Sequence, residues 1–498
     1  MTQKHSNRRR AFLKQSLLLS LAAGLAACVG EASPTAVRPA SIEGSQPGSE
    51  SKVSSAIESN HAEVLIIGAG ISGLAAATAL RAAGYAVIVL EARNRIGGRV
   101  WTDRTWPDTP LDMGASWIHG VKGNPIAEIA GDAKIATLPT DYENVWLYNA
   151  EGRLLEDAEH DKAEGEAEAF FEQALEEAAD YYDADVSIQQ ALDDLLAEQT
   201  LSPAQRRMLD YFVNATTEHE FAADVADLSL TVWDEGEAFG GEDVLFPGGY
   251  DQIASILAAG LDIRLEQPVK AIVYGADGVS VETAAGSFTG ERVIVTLPLG
   301  VLKKGVVDFD PPLPEAKQTA IDSLGMGLLN KLYLRFPRIF WPQEADVLGY
   351  ISPAKGEWSE TLNIAHYTGA PILLCFNAAT FGRAIEKLSD AEIVAGAMQT
   401  LRTLYGPDIP EPTGHLVTRW ASDPYAYGSY SHLRPGTSGK TRGDLAESVD
   451  DRLFFAGEAT SRDYPATVHG AYLSGLAAAE EIDKLKNHIY FLPFYEYL

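Results

Sequence analysis

A glycine-rich turn between a strand and a helix constrains the fold more than any other feature of the chain. The apolar run VLII at residues 64–67 is typical of a strand buried on both faces, and an Ala- and Leu-rich helix is predicted from Ile71 to Ala83. Between them lie the glycines of a G-x-G-x-x-G pattern, which are Gly68, Gly70 and Gly73. In this setting they permit a tight turn, a close backbone approach to a pyrophosphate, and close packing of helix on strand. The pattern therefore predicts a Rossmann-like α/β domain that binds a dinucleotide.

A second strand supports the same interpretation. It is predicted at residues 86–90 and ends in Glu91, where the carboxylate is placed to accept hydrogen bonds from a ribose hydroxyl. These features alone do not separate a nicotinamide from a flavin cofactor.

The segment EARNRIGGR, residues 91–99, resembles the extended motif of the flavin-containing amine oxidase family. In that family a second glycine pair brings backbone against the cofactor, and arginines neutralise phosphate charge. The resemblance therefore implies an FAD cofactor. In this part of the chain the implied FAD contacts are Gly68, Gly70, Ile71, Ser72, Gly73, Glu91, Ala92, Arg93, Gly97, Gly98 and Arg99.

Later segments carry the same resemblance, among them DMGASWIHG at residues 112–120, WASDPYAYGSY at 420–430 and FFAGEATSRDYPATVHGAYLSG at 454–475. The further FAD contacts that it implies are Gly114, Ala115, Ser116, Trp117, Val269, Trp420, Tyr425, Gly457, Glu458, Thr467 and Val468. An Ala- and Leu-rich helix predicted from Ala471 to Ile482 would direct its positive N-terminal end at the N1 and O2 edge of the flavin.

The resemblance and the local patterns agree on an α/β fold class, with a Rossmann-like FAD-binding domain built from discontinuous segments and an inserted α+β substrate domain. The FAD-binding domain is predicted at 62–140, 243–310 and 415–485, and the substrate domain at 141–242 and 311–414. Within the substrate domain, EAEAFFEQALEEAADYY is typical of an amphipathic helix with glutamates facing outward. These acids are predicted to form a solvated face, and a funnel for polyamines is the alternative.

The lysine of the segment NKLYLRF is the first candidate for a catalytic residue. Strand alternation puts Leu332, Leu334 and Phe336 on one face, so that Lys331 lies on the other. The residues alone favour a solvated strand lysine. The resemblance instead implies that Lys331 holds a water against flavin N5 and serves reoxidation by oxygen or proton transfer.

The reaction that the resemblance implies is oxidation of an amine, polyamine or monoamine, by hydride transfer from the α-carbon to flavin N5. The imine is hydrolysed to an aldehyde, and oxygen is reduced to hydrogen peroxide. Tyr430 and Tyr472 are candidate walls of an aromatic cage before the flavin, and a core tyrosine is the alternative for each. Some relatives attach the flavin through a cysteine that precedes this cage residue. Because Ser429 stands there and Cys375 lies in an apolar run, FAD is predicted to bind non-covalently, and no metal site is expected.

The segment GASWIHG bears on the choice of amine. Relatives that oxidise amino acids tend to have an arginine near this position to hold the substrate carboxylate, whereas this chain has Trp117, with His119 two residues later. The segment is similar to the polyamine oxidase branch, so His119 is a candidate for substrate positioning. Read alone, His119 is better explained as a structural histidine. An L-amino-acid oxidase and a non-catalytic lipid-anchored flavoprotein are the alternative functions.

Composition and the N-terminus indicate where the protein acts. A net charge of −31 argues against nucleic acid as a partner and is compatible with a cationic small molecule. Residues 1–28 combine basic residues with a short apolar run and resemble a twin-arginine signal that ends in a lipoprotein box at Cys28. Residues 29–61 are predicted to be a flexible linker, and 486–498 an aromatic tail. The chain is thus predicted to be an exported, lipid-anchored protein on the periplasmic side.

Overall fold

The computed structural model of the chain describes residues 60–487. The predicted signal, nearly all of the predicted linker and the tail from residue 488 lie outside the described residues, so those predictions stay predictions. Within residues 60–487, none of the helices is both long enough and apolar enough to cross a membrane.

The longest strands in the described part of the chain belong to two larger sheets. In chain order they are β1 (His61–Ile67), β2 (Val87–Leu90), β3 (Thr102–Asp103), β4 (Leu111–Asp112), β5 (Trp117–Ile118), β6 (Leu138–Thr140), β7 (Val145–Tyr148), β8 (Asp243–Leu245), β9 (Ile263–Arg264), β10 (Val269–Gly275), β11 (Gly278–Thr283), β12 (Gly286–Val295), β13 (Asp308–Asp310), β14 (Gly325–Met326), β15 (Leu329–Arg335), β16 (Val347–Tyr350), β17 (Glu360–Asn363), β18 (Ile372–Ala378), β19 (Gly414–Val417), β20 (Ser431–His432) and β21 (Leu453–Phe455).

Helices fill the intervals between these strands. They are α1 (Ile71–Ala82), α2 (Pro125–Asp132), α3 (Asp157–Tyr181), α4 (Ile188–Glu198), α5 (Pro203–Val213), α6 (His219–Phe221), α7 (Asp251–Leu257), α8 (Leu299–Lys304), α9 (Glu315–Ser323), α10 (Ile364–Thr368), α11 (Ala379–Ile385), α12 (Asp390–Tyr405), α13 (Gly439–Ala446) and α14 (Val468–Asn487). A π-helical turn, Asn214–Glu218, joins α5 to α6, and a 3-10 turn, Glu458–Thr460, follows β21.

The first sheet contains the glycine turn and has eight strands. Its order is β13-β10-β11-β12-β1-β2-β9, and β21 pairs with the second half of β12. β1 runs parallel to β2 and β12, while β10, β11 and the first half of β12 form an antiparallel meander. The apolar run at 64–67 is buried on both faces of this sheet, as its sequence predicts. This is the predicted Rossmann-like arrangement, assembled from separate segments of the chain.

Two helices cover one face of the first sheet and cross close to each other. A Cβ added to Gly475 of α14 would lie 2.1 Å from the carbonyl oxygen of Ser72 in α1, so only glycine permits this approach. The predicted helix from Ala471 begins three residues earlier and ends five residues later than expected. Its N-terminal turn therefore starts at Val468, directly after the predicted flavin contact Thr467.

The second sheet has six strands in the order β19-β15-β18-β17-β16-β7. Alternate residues of β15 lie in two different cores, with Leu332 and Leu334 in one and Tyr333 in the other, which confirms the predicted alternation. The predicted domain boundary at 414/415 falls inside β19. A three-stranded sheet, β5-β8-β6, lies beside the histidine segment at 117–120.

The predicted amphipathic helix of the substrate domain is α3, which begins nine residues earlier than the quoted pattern. Phe170, Phe171 and Ala178 are buried on its inner face, whereas Leu175 is only half-buried. Tyr182 lies just beyond the helix, where its hydroxyl donates to Asp194 of α4 at 2.7 Å. Most of the acids of α3 are exposed or half-buried, which is the arrangement of a solvated face.

Candidate active site

The glycine turn is fixed by sterics at two of its three glycines. A Cβ on Gly73 would lie 2.0 Å from the carbonyl oxygen of Gly68, and Gly68 itself has φ +104° with a would-be Cβ 2.6 Å from Thr296 Oγ1. At Gly70, by contrast, no protein atom lies within 4 Å of a would-be Cβ. Ile71 and Ser72 are 4% exposed, so their side chains belong to the core. The turn therefore offers backbone and open space at Gly70.

The second glycine pair lies against this turn. Gly97 N donates to Ala69 O at 2.8 Å, and a Cβ on Gly97 would lie 2.3 Å from Val100 O. A Cβ on Gly98 would lie 3.4 Å from the Cα of Gly70. The two glycine segments thus form one backbone-lined surface, as the motif predicts.

Glu91 ends β2 and ties the turn to the following segment. Its carboxylate accepts from Ala69 N and from Arg93 N, each at 2.8 Å, and the residue is 5% exposed. Each carboxylate oxygen retains a further lone pair for a ribose hydroxyl. Ala92 lies between Glu91 and Arg93. Gln267 N, two residues before Val269, donates to Glu91 O. The predicted ribose and adenine contacts therefore meet at this end of the first sheet.

The arginines of the motif have partners that the sequence did not reveal. Arg93 forms a two-point ion pair with Asp423 at 2.9 and 2.7 Å, and its guanidinium lies 5.2 Å from the ring centroid of Tyr425. Arg99 donates to Glu458 and to Ser429 O, each at 2.8 Å. The resemblance implied that these arginines neutralise phosphate charge. Protein carboxylates balance part of their charge because a desolvated guanidinium needs a counter-charge.

Glu458 is one of the FAD contacts that the resemblance implies. Burial alone would raise its pKa, but Arg99, Ser431 and Arg442 together favour the anion, and the pKa falls below its ordinary value. The adjacent Gly457 has φ +139°, and no protein atom lies within 4 Å of its would-be Cβ. A charged carboxylate and an open backbone position thus stand side by side.

The N-terminal turn of α14 begins beside these groups. Thr467 Oγ1 accepts from Gly470 N at 2.9 Å, and Ala466 before it has φ +61°, an uncommon backbone conformation for a residue with a side chain. Gly457 N donates to Ser474 Oγ at 2.9 Å, which ties this helix to the loop after β21. The helix therefore lies beside the loop that contains Gly457, and contact of Thr467 and Val468 with FAD stays a prediction.

These residues fit FAD. Open backbone at Gly70 and Gly457 leaves room that a Cβ would fill, while the neighbouring glycines are required by close protein contacts. Glu91 and Glu458 supply carboxylate acceptors for hydroxyl groups of the cofactor, and the turns that open α1 and α14 supply N–H groups and partial positive charge. The structure thus brings the nucleotide-side predictions together at one edge of the first sheet.

Lys331 connects β15 to the segment after β4. Its Nζ donates to Asp112 O and Gly114 O, each at 2.7 Å, and to Ser116 Oγ at 2.5 Å. The residue is 4% exposed, so it is not the solvated lysine that the residues alone favour. Desolvation lowers its pKa to about 8, against the attraction of the Asp112 carboxylate. Because all three N–H groups of the ammonium have protein acceptors, holding a water requires exchange of one of these contacts.

The Lys331 contacts depend on tight backbone packing. A Cβ on Gly114 would lie 1.7 Å from Arg99 O, and Ala115 N donates to the same oxygen at 3.2 Å. Trp420 is 4% exposed, and its Nε1 donates to Met113 O at 3.2 Å. Trp420 therefore supports this segment from the core side, and a direct FAD contact by its side chain remains a prediction.

Aromatic side chains form a wall beside Lys331. The Trp117 ring centroid lies 5.8 Å from Lys331 Nζ, 5.7 Å from Tyr142 and 6.1 Å from Phe376. Phe376 in turn lies 6.2 Å from the His219 ring. Such rings provide an apolar, water-excluding surface for an amine.

Tyr430 is linked to this wall through His219. Its hydroxyl donates to His219 O at 2.8 Å, and His219 Nδ1 lies 2.8 Å from Glu360 Oε2. His219 directly follows the π-helical turn, a rare conformation that is often found at functional sites. The structure thus brings Tyr430 to the aromatic wall that includes Trp117.

Tyr472 lies elsewhere, and the cage prediction for it needs correction. It is 7% exposed and belongs to the core cluster between the first sheet and its covering helices, with Leu74 and Ile126 among the members. One turn inside α14, its side chain packs with this core. This matches the alternative given for Tyr472 in the sequence analysis, a core tyrosine. Its closeness in sequence to the predicted flavin contact Thr467 does not place its side chain at the flavin.

His119 lies at the exposed side of the site, with its side chain 47% exposed. Nδ1 lies 3.1 Å from Asp243 Oδ2, and Gly120 N donates to Asp243 Oδ1 at 2.8 Å. Asp243 is the first residue of β8, next to β5 in the small sheet. The pairing gives His119 a fixed orientation, and its proposed contact with substrate remains a prediction.

Sequence reasoning missed several functional side chains. Asp112 is buried, and desolvation raises its pKa to about 6 despite donors from Thr102 and Tyr250. Glu386 accepts from Asn330, Ala421 and Ser422 and so fastens the segment that leads to Asp423; its bonds are 2.6–3.0 Å long. A lone glutamate after α11 carries no local signal of this role. Asp112 and Asp423 each had a signal, because they are acids of the quoted segments DMGASWIHG and WASDPYAYGSY.

Comparison with known proteins agrees with this geometry. A family model described as flavin containing amine oxidoreductase matches residues 71–483. The chain is 40% identical over 435 residues to polyamine oxidase 4 of Oryza sativa subsp. japonica, with 84% of this chain and 88% of that protein covered. It is 39% identical over 432 residues to polyamine oxidase 2 of Arabidopsis thaliana, with 84% and 87% covered.

Other relatives are longer. The chain is 38% identical over 446 residues to lysine-specific histone demethylase 1 homolog 1 of Oryza sativa subsp. japonica; the match covers 84% of this chain but only 52% of that protein, or about half its length. A solved structure of a redesigned putrescine oxidase double mutant has a TM-score of 0.69 and 22% identity, with 85% of this chain and 99% of that chain covered, and so shares the fold. The chain belongs to the flavin-containing amine oxidase family and is an FAD-dependent amine oxidase.

Proposed function

We propose that this enzyme oxidises polyamines and that Glu220 binds a distal ammonium group of the substrate. The observation that carries the proposal is the position of this carboxylate. Glu220 is exposed, directly follows His219, and acts electrostatically on both Tyr142 and Tyr430. Burial first, and then the negative charge of Glu220, raise the pKa of Tyr430 well above its ordinary value. A carboxylate beside an aromatic wall suits a chain that carries more than one positive charge.

Asp243 adds a second negative charge on this side of the site. It pairs with His119, and burial first, followed by the charges of Asp243 and Glu220, raises the pKa of Tyr142 well above its ordinary value. Two carboxylates separated by aromatic surface match the alternation of ammonium and methylene groups in a polyamine. The two plant relatives named polyamine oxidase support the same substrate class.

FAD held by these residues would supply the two-electron oxidation of the amine at its α-carbon. The residues of this chain orient the substrate and exclude water. Trp117, Phe376 and Tyr430 form the apolar surface against which the reacting methylene lies, and a neutral amine is the form that such a surface favours. Glu220 holds the distant charge, so the reacting nitrogen loses its proton more readily than the distal one.

Lys331 is proposed to act in the oxygen half-reaction. Its lowered pKa, to about 8, allows the amine to give up or take a proton within the working range of many enzymes. Exchange of its Ser116 contact for a water would place that water beside the Gly114 segment. Oxygen as electron acceptor and hydrogen peroxide as product belong to this proposal.

A substrate panel tests the proposal. The holoenzyme is mixed anaerobically with spermine, spermidine, an arylalkyl monoamine or an L-amino acid, and flavin absorbance is followed; hydrogen peroxide is measured in air. Bleaching is expected with the polyamines. Faster bleaching with L-amino acids than with any amine would refute the proposal, and a flavin that responds to none of them would point to a non-catalytic flavoprotein.

The role of Glu220 is tested by Glu220→Gln. The KM for spermine is expected to rise about tenfold or more, with little change in the KM for the monoamine, because only the polyamine has a second charge to bind. Glu198→Gln at the exposed end of α4 is the control for the change in net charge. Equal effects of the two substitutions would remove the assigned role.

We also propose that the protein is exported by the twin-arginine route and anchored through a lipid on Cys28. The support is the N-terminal sequence, with Arg9 and Arg10 before a short apolar run and Leu25 to Ala27 before the cysteine. Cell fractionation of the full chain and a Cys28→Ala variant tests the anchor. The wild type is expected with membranes and the variant in the soluble fraction, and an identical distribution would contradict lipidation.

A further inference from the structure

His469 lies in the first turn of α14, the turn that the family resemblance directs at the flavin. The residue is 4% exposed, and its Nδ1 lies 3.3 Å from Asn124 Nδ2. Asn124 is completely buried and precedes α2, so this contact joins the N-terminal turns of two helices. The chemistry of the contact depends on which atom of the Asn124 amide points toward the imidazole.

Two hydrogen bonds fix the orientation of the Asn124 amide. Oδ1 caps α2 by accepting from Ile126 N at 3.0 Å, and Nδ2 donates to His119 O at 3.3 Å. Rotating the amide by 180° would set a nitrogen against the Ile126 N–H and an oxygen against the His119 carbonyl. The atom that faces His469 is therefore the donor, and Nδ1 of the imidazole must be an acceptor. The ring proton then resides on Nε2, and the imidazole is neutral.

The surroundings of the imidazole also favour the neutral form. Phe239 and Tyr464 stack on each other at 4.6 Å, and each ring meets His469 edge-on at 5.2 Å. Burial, followed by the nearby charge of His119 when protonated, lowers the pKa of His469 to about 3, while Asp243 acts in the opposite sense. The other acid near this cluster is Glu237, which accepts from the Tyr464 hydroxyl at 3.3 Å.

We propose that Asn124 is a positioning residue that fixes His469 as the neutral Nε2–H tautomer, so that the flavin-facing turn of α14 carries no imidazolium. The positive potential at this turn then comes from the helix end, with no titrating imidazole within the turn itself. A protonated His469 would add a full charge beside the half-charge of a helix end. The proposal rests on the flavin placement above, and its main test reads the imidazole itself.

The first experiment measures the tautomer in the holoenzyme. Long-range ¹H–¹⁵N spectra of protein labelled at histidine nitrogen are recorded from pH 6 to 9, and the His469 signals are assigned by their loss in His469→Gln. The expected pattern is a neutral ring with the proton on Nε2 at every pH in this range. A protonated Nδ1 at pH 7 in the wild type would overturn the proposal.

The second experiment reverses the role of residue 124. In Asn124→Asp one carboxylate oxygen still accepts from Ile126 N, and aspartate is as good an N-cap as asparagine, so α2 is retained. The other oxygen now faces His469 Nδ1 as an acceptor, and the expected result is an imidazolium at pH 6 that becomes neutral by pH 9. A neutral ring at pH 6 in this variant would overturn the assignment to Asn124.

The flavin provides a separate readout. The midpoint potential of Asn124→Asp relative to the wild type is expected to rise as the pH falls from 9 to 6, because a positive charge near the flavin favours its reduced, anionic form. The double variant Asn124→Asp, His469→Gln lacks the titrating ring and is expected to show no such rise. If the difference in midpoint potential between Asn124→Asp and the wild type stays constant from pH 9 to 6, His469 does not lie in a turn that faces the flavin. Failure of the polyamine panel would refute the substrate proposal alone, because neither measurement uses an amine.

Discussion

The nucleotide-binding end and the amine end of the site are built in different ways. The nucleotide end consists largely of backbone from residues 68–99, where glycines are imposed by contacts such as that between Gly73 and the Gly68 carbonyl. The amine end consists of side chains from the second sheet and the small sheet, including Lys331 on β15, Phe376 on β18 and Trp117 on β5. Local sequence thus specifies one end, and tertiary packing assembles the other.

The largest expected effect follows from Gly73→Ala. Its Cβ would lie 2.0 Å from a backbone oxygen that cannot move without opening the turn. We expect a loss of about 3 kcal/mol in the free energy of unfolding of the apoprotein, together with loss of FAD binding. Thermal and denaturant unfolding with and without FAD measure both quantities.

Gly70→Ala is the matched control for this prediction. Gly70 has an ordinary φ of −76°, and its would-be Cβ meets no protein atom within 4 Å. The apoprotein is expected to keep its stability while affinity for FAD falls at least about tenfold, because the methyl group enters space meant for the cofactor. Equal destabilisation of both apoproteins would show that Gly70 serves the fold and not the cofactor.

At the amine end, Lys331→Met is expected to have the next largest effect. The unbranched methionine side chain has a similar volume but lacks the three N–H donors and the positive charge of Lys331. Reoxidation of reduced flavin by oxygen is expected to slow by about 100-fold, with a smaller change in anaerobic reduction by substrate. Stopped-flow absorbance separates the two steps.

Tyr333→Phe is the control for loss of packing around Lys331. The Tyr333 hydroxyl donates to the same Asp112 carbonyl at 2.8 Å, so the variant removes one hydrogen bond and no charge. Reoxidation is expected to stay near the wild-type rate. If both variants slow it equally, Lys331 acts by holding the 112–116 segment in place.

Acid is expected to weaken the protein through buried histidines. Desolvation and nearby cations lower the pKa of His432 to about 3, so between pH 6.5 and 3 the unfolded chain binds a proton that the folded protein excludes. The free energy of unfolding therefore decreases as the pH is lowered, and at pH 5 the loss from this histidine is about 2 kcal/mol. The steric contacts of the glycine turn have no such dependence.

Asp112 opposes this trend. Its pKa is raised to about 6, so the folded protein takes up that proton first as the pH falls below 6. A comparison of the wild type with His432→Gln cancels the contribution of Asp112, because both proteins contain it. Followed by denaturant unfolding, His432→Gln is expected to lose less stability than the wild type between pH 7 and 5. Parallel pH profiles would mean that His432 is protonated in the folded protein.

The difference between the two ends explains what the sequence predicted. The parallel strands, α1, the glycine turn and Glu91 follow from patterns within about 30 residues, the length of a βαβ unit. The pairings of Arg93 with Asp423 and of Lys331 with the Asp112 carbonyl join residues hundreds of positions apart. No local periodicity encodes such contacts, and only the family resemblance drew attention to Lys331.

The same reasoning accounts for the error at Tyr472. Proximity in sequence to Thr467 suggested proximity to the flavin, but an α-helix turns each residue by 100° from the one before. Five residues beyond Thr467, the side chain packs in the core of the first sheet. Tyr430 lies on an irregular segment after β19, where no periodicity indicated its direction, and contact with His219 placed it at the wall.

The smallest expected effects come from removing single hydroxyl groups, and they separate the two tyrosines. Tyr430→Phe breaks the bond to His219 O and loosens the turn that carries Glu220, so kcat/KM for spermine is expected to fall by a factor of roughly 3 to 10. Tyr472→Phe is expected to leave kcat/KM unchanged, because its ring stays packed in the core of the first sheet, and to lower the free energy of unfolding by about 1 kcal/mol, a typical cost of a single buried substitution. Steady-state kinetics and thermal unfolding of both variants give the comparison. A fall in kcat/KM for Tyr472→Phe at unchanged stability would place Tyr472 at the amine after all, because a core hydroxyl alters turnover only through the fold.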